Sequence, residues 1–165
     1  MKTPICELCA KSGALCSGCE EKQKNGVITE LDVTVSNLLY KLKDKYTLDS
    51  VQMVKALDLG RVILILTKSD VGVLIGKEGK VVSELSQTLG KKVRIAESTT
   101  DVKKAIYDIL TPVKLLGVNT VYKNGETFYK VRILKSEIRH LPMDINTLEK
   151  ALNSLMGSKV AIIFE

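Results

Sequence analysis

Sliding the chain against itself by 67 residues lays residues 34–98 over residues 101–165 without a gap. The two segments agree where a fold is punctuated. Lys68-Ser69-Asp70 meets Lys135-Ser136-Glu137, Leu74 meets Leu141, Leu85 meets Leu152 and Gly90 meets Gly157. "KVRI" from Lys92 meets "KVAI" from Lys159. Apolar patterns coincide by chance between unrelated segments. A shared helix start, glycine stop and Lys-Val strand start together do not, and internal repetition fixes architecture before any residue-level reading. The chain is therefore expected to hold two tandem copies of one fold behind an N-terminal extension, with divisions at 1–26, 27–98 and 99–165. Its 165 residues suit two small domains.

The first copy reads as a mixed α/β fold of the α+β class. Thr29 is placed to cap a helix from Glu30, and Leu31, Val35, Leu38, Leu39 and Leu42 recur at helical spacing. "SVQMVKAL" and "RVILILTK" read as strands around an Asp58-Leu59-Gly60 turn. A short helix from Asp70, a longer one ending at Leu89 before Gly90, and the strand "KKVRIAES" complete the order α-β-β-α-α-β.

Between those two helices stands Gly76-Lys77-Glu78-Gly79, which the repeat lays over Met143-Asp144-Ile145-Asn146. If the fold can be built with Met and Asn there, the two glycines are expected to serve the close approach of a ligand.

All four cysteines lie in "CELCAKSGALCSGC", as Cys6, Cys9, Cys16 and Cys19 with spacing C-x2-C-x6-C-x2-C. Two such turns offer four thiolates to one tetrahedral ion, a donor set that favours zinc or an iron–sulfur centre. The expectation is one structural Zn²⁺, because four protein ligands leave no position for a catalytic water. Disulfides fit poorly with a chain whose start, "MKTPICELC", has no apolar signal region.

The formal charge is +6. Four thiolates offset by one divalent ion would leave about +4. That surplus suits an anionic partner such as RNA or DNA, and equally an ordinary lysine-rich surface. Aromatics are 4% of the chain, so few rings serve for stacking. No apolar run approaches the roughly 20 residues of a membrane helix, and a cytoplasmic location without membrane contact is expected. The single His140, opposite Val73 in the repeat, is expected to be structural. With no phosphate-loop ending and no converging acid–base pair, catalysis is not expected.

"VLIGKEGKVVSELSQTLGKKVRIAE" resembles a KH domain: an apolar residue before Gly-x-x-Gly, an apolar-periodic helix and a closing Lys-Val strand. The helix and two strands upstream resemble the type II arrangement. A tandem pair in a short chain, behind four cysteines, is similar to the zinc-bearing NusA-like proteins of archaea. The resemblance is strong over 30–98 and rests on pattern alone over 101–165. It implies single-stranded RNA held through its backbone by Gly76, Lys77, Glu78, Gly79 and Lys80. Bases would lie on Val71, Leu74, Ile75 and Val82, with Lys92 or Arg94 at the groove edge. Ile75, which immediately precedes the loop, is the foremost groove residue. The implied context is transcription elongation or termination, with RNA polymerase as a partner. A factor acting on ribosomal RNA or ribosome assembly, and a protein-interaction adaptor whose KH folds have given up RNA, are the alternatives. The second copy, with Asp144 in place of Lys77 and Pro142 in place of Ile75, is not expected to clamp nucleic acid.

Overall fold

A computed structural model describes residues 1–141 and 144–165, with the backbone alone at Ser154. The chain divides into two compact units, Met1–Asp58 with Val62–Ser98, and Leu59–Arg61 with Thr99–Glu165.

The first unit opens with two short helices, α1 (Glu7–Ser12) and α2 (Ser17–Lys24), followed by the long α3 (Glu30–Tyr46). Thr29 caps α3 through a reciprocal pair of hydrogen bonds. The Asp32 N–H donates to Thr29 Oγ1 at 3.1 Å, and the Thr29 N–H donates to Asp32 Oδ2 at 2.9 Å. Asp32 is buried, and its other oxygen accepts the Ala56 N–H at 2.7 Å. One carboxylate thus fixes both the start of α3 and its position against the sheet.

That sheet has the order β1 (Met53–Asp58), β2 (Val62–Thr67), β3 (Lys92–Glu97), with β1 antiparallel and β3 parallel to β2. Between β2 and β3 run α4 (Val71–Ile75), a 3₁₀ turn (Lys77–Gly79) and α5 (Lys80–Leu89), which ends on left-handed Gly90. Val35, Leu39 and Leu42 of α3 share one buried cluster with Ile63, Ile65, Leu74, Val81, Leu85 and Val93. Truncating one of these leucines to alanine costs about 2–5 kcal/mol. All six residues of β2 are buried, on both faces of the strand.

The second unit repeats the plan with α6 (Val102–Leu110), β4 (Leu115–Lys123), β5 (Glu126–Ile133), α7 (Ile145–Met156) and β6 (Lys159–Phe164). The order β4-β5-β6 has the same antiparallel and parallel pairings. The last helix and strand match most closely. Ser86 Oγ accepts the Val93 N–H at 3.0 Å, and Asn153 Oδ1, 67 residues later, accepts the Val160 N–H at 2.5 Å.

Elsewhere the gapless repeat fails in three places. Val62 lies opposite Lys92, but Phe128, not Tyr129, lies opposite Lys159, so β5 is displaced by one residue. The β4–β5 hairpin turns on Asn124-Gly125, both at positive φ, where the first copy turns on Leu59-Gly60-Arg61-Val62. A 3₁₀ turn (Lys135–His140) stands where α4 would be, and exposed His140 ends it. Leu141 is extended at φ −64° and ψ 143°, as expected of a residue that precedes proline in the sequence. Pro142 and Met143 lie outside the described residues.

Candidate functional site

The four cysteines come together at the starts of α1 and α2. Cys6 and Cys16 are the N-cap residues, and Cys9 and Cys19 lie one turn in. The two turns clasp each other: the Cys16 N–H donates to Cys9 Sγ at 3.1 Å, and the Cys6 N–H to Cys19 Sγ at 3.5 Å. All four sulfur atoms lie within 4.8 Å of one another, with Cys6–Cys9 at 3.3 Å and Cys6–Cys16 at 4.0 Å. A tetrahedral ion with 2.3 Å bonds to sulfur needs separations of about 3.8 Å, so the donor set fits such an ion.

The main-chain N–H of Cys19, with the neighbouring thiols, lowers the Cys16 thiol to about 7. Cys6 is also lowered, by the Cys9 N–H first. Cys9 takes the opposite course. The Cys16 N–H lowers it, but burial and the three neighbouring thiols outweigh that and push it to about 12. Four thiolates so close together require a cation. Ile5, Cys9, Ala10, Cys19 and Ile28 form a cluster of their own, against which Val33 and Tyr40 of α3 pack. Lys2 pairs with Gln52 beside β1, so the extension belongs to the first compact unit.

At the α4–α5 corner, Gly76 takes φ 83° and ψ 166°, a conformation almost confined to glycine. A Cβ there would stand 2.5 Å from Val81 Cγ2 and 2.9 Å from the Val81 nitrogen. Gly76 is therefore required by the chain's own packing, which corrects the expectation that both glycines serve a ligand. Gly79 differs: at φ 71°, its added Cβ would meet only Val82 Cγ1, at 3.7 Å. Glu78, between them, also has positive φ, at 56°. Lys77, Glu78 and Lys80 are exposed, and no side chain caps the start of α5.

Ile75 is 37% exposed beside this loop, and Val73 of the same helix 36%. Leu74 is wholly buried, so it is a core residue and not a groove residue. The structure brings together Ile75, Gly76, Lys77, Glu78, Gly79 and Lys80. It does not bring Lys92 and Arg94 to them. Val93 and Ile95 pack on the helical core, which puts Lys92 and Arg94 on the other face of the sheet. Sequence reasoning passed over Lys45, Tyr46 and Glu84, which line a cleft with Glu78, Gly79 and Lys80. Lys45 Nζ lies 3.2 Å from Glu84 Oε2, and the Tyr46 hydroxyl donates to the same oxygen. Tyr46 first, then Lys45, holds the Glu84 carboxyl below its usual range. These residues lie on α3 and α5, distant in sequence, so no local signal joins them.

In the second copy, Asp144 does not face a ligand loop. It caps α7, accepting the Thr147 N–H at 3.0 Å and the Thr147 hydroxyl at 2.6 Å.

A family model described as KH domain matches residues 40–126, more than half of the chain. The chain belongs to the KH-domain family. The match begins within α3, spans the Gly76–Gly79 corner and β3, and ends where β5 starts. The chain is 38% identical over 73 residues to "Probable transcription termination protein NusA" of Methanocaldococcus jannaschii, covering 43% of this chain and 40% of that one. It is 28% identical over 87 residues to the protein of the same name from Methanococcus vannielii, covering 53% and 47%. The matched region spans less than half the length of either relative. A solved structure, "Crystal structure of APE1850", aligns with a TM-score of 0.54 at 16% identity, over 77% of this chain and 96% of that one. That likeness is one of fold. Among the described residues no helix is long and apolar enough to cross a membrane.

Proposed function

We propose that this chain is a NusA-like RNA-binding factor of transcription elongation or termination, which holds single-stranded RNA at the α4–α5 corner. The observation that carries this reading is the open approach to Gly79. The loop there projects Lys77 and Lys80 into solvent beside a helix start with no side-chain cap. Phosphate oxygens approach the corner over the missing Cβ, drawn by Lys77 and Lys80 and by the positive end of α5. Ile75 and Val73 offer the adjoining apolar ledge for a base. Gly76 acts through the backbone it permits, and Lys92 and Arg94 are not part of this clamp. The similarity to two proteins named for transcription termination supports the context, with RNA polymerase as the protein partner.

Functionally, we divide the chain into a four-cysteine knuckle (1–26), a binding KH domain (27–98) and a second KH-like domain without the clamp (99–165). The cysteines hold one Zn²⁺ as a staple between α1, α2 and α3. They do no chemistry, and the protein works as a binding factor and not as an enzyme.

The test is titration of short single-stranded RNA at two salt concentrations. Lys77→Asp should weaken binding to all sequences alike and make the log–log salt slope shallower by about 0.7, one lost phosphate contact. Glu78→Lys should tighten binding and steepen the slope. Unchanged affinity in both variants would remove the clamp from this corner.

A further inference from the structure

The two sheets share a topology, but their outward faces carry different chemistry. On the central strand of the first sheet, the residues facing away from the helical core are Val62, Leu64 and Leu66, all buried. Pairing with the last strand makes Phe128, Lys130 and Arg132 their counterparts in the second sheet. None of these three is buried, and neighbours Val121 and Ile163 on the same face are likewise only half-buried. A lysine and an arginine at the centre of a sheet face are costly unless they meet water or an anion.

Arg132 donates two hydrogen bonds of 2.9 Å to the Glu165 carboxylate. Lys130 and exposed Lys159 have no carboxylate partner among the described residues. With Lys123, the face carries four cations against Glu126 and Glu165. It therefore offers a ring on its central strand, aliphatic flanks and a surplus of positive charge. An aromatic platform lined by cations is how a sheet takes a stacked base and its phosphates.

We infer that the outward face of β4-β5-β6 is a second binding surface for single-stranded RNA, with Phe128 stacking on a base and Lys130 and Lys159 meeting the backbone. This rests on the RNA-binding reading above, and it gives the second unit a contact that needs no Gly-x-x-Gly loop.

The full-length chain would be titrated with labelled oligouridines of five and of twenty nucleotides. The short one suffices for a clamp of about four nucleotides. Phe128→Ala should lower affinity for the twenty-mer about tenfold, as loss of one stacked base does, and Phe128→Tyr should restore it. Lys130→Glu should weaken the twenty-mer and its salt dependence by an independent route, and neither change should affect the five-mer. A 4-thiouridine twenty-mer should photo-crosslink to the peptide that contains Phe128. If Phe128→Ala and Lys130→Glu leave the twenty-mer unchanged while Lys77→Asp weakens both lengths, this inference is overturned and the clamp stands. If the face variants weaken binding and Lys77→Asp does not, the face stands and the clamp falls. A chain that binds neither length at low salt overturns both.

Discussion

The two glycines of the corner look alike in sequence, and replacing each by alanine separates their roles. At Gly76 the substitution pays twice. Its φ and ψ lie in a region other residues reach only at about 1–3 kcal/mol. The new Cβ also meets Val81 at 2.5 Å from Cγ2 and 2.9 Å from the backbone nitrogen. The side-chain contact can shift, but the backbone contact cannot without moving the first turn of α5. Overpacking of this kind costs about 1–3 kcal/mol. The sum is about 4 kcal/mol, or about 8–16 °C in melting temperature for a chain of this size. At Gly79 the nearest atom is 3.7 Å away, so only the left-handed backbone counts. That is about 1–2 kcal/mol.

Thermal and urea unfolding followed by circular dichroism would measure both. RNA titration should give the opposite ranking once corrected for the folded fraction. Gly79→Ala puts a methyl group where phosphate approaches, whereas Gly76→Ala acts through stability. Equal destabilisation by the two substitutions, or a neutral Gly76→Ala, would refute the geometry from which this argument starts.

Three further outcomes follow from single side chains. Elemental analysis should find about one zinc per chain, and Cys16→Ser should abolish it. Because the knuckle packs on α3, that change should also lower the melting temperature of the first unit, and retained metal would refute the four-thiolate site. Asp32→Ala removes the carboxylate that accepts the Thr29 and Ala56 N–H groups and leaves both without that partner, so urea denaturation should register a loss of about 2–4 kcal/mol. Asp144→Asn should lower the denaturation midpoint at pH 7. The Thr147 hydroxyl and N–H hold the Asp144 carboxyl below its usual range. Its contribution is thus fully present above the ordinary aspartate range and is lost as pH falls through the lowered value, so the two proteins should converge in acid.

Residues whose meaning is local were legible in the sequence, and residues whose meaning is tertiary were not. Thr29 before an apolar period announces α3. Gly90 and Gly157 announce helix ends, and four cysteines at paired spacing announce a cluster. Asp32 reads as any acidic residue in a first turn, because its partner Ala56 lies on a strand 24 residues away. Leu74 and Ile75 are equally apolar neighbours on a helix of five residues, and only packing decides that Leu74 enters the core. Gly76 was misread because the second copy builds its own corner without glycine. That comparison shows what the fold tolerates with α7 capped by Asp144. It does not show what the first copy requires with Val81 pressed against the turn.

The one-residue displacement of β5 was hidden for a related reason. "VILILT" is apolar at every position, so it matches an alternating strand equally well in either phase. The hydrogen-bond ladder supplies the missing phase. Once Phe128 stands opposite Lys159, Val131 and Ile133 turn inward and Lys130 and Arg132 turn outward. A slip of one residue would bury both cations and expose the core. The alternation in "FYKVRI" is thus the pattern of a strand with one solvated face, where "VILILT" has none. The duplicated fold has kept its helix-to-strand hydrogen bond from Ser86 to Asn153 while exchanging an aliphatic sheet face for a basic one. The second copy has lost the glycine corner, and its open chemistry now lies on the sheet.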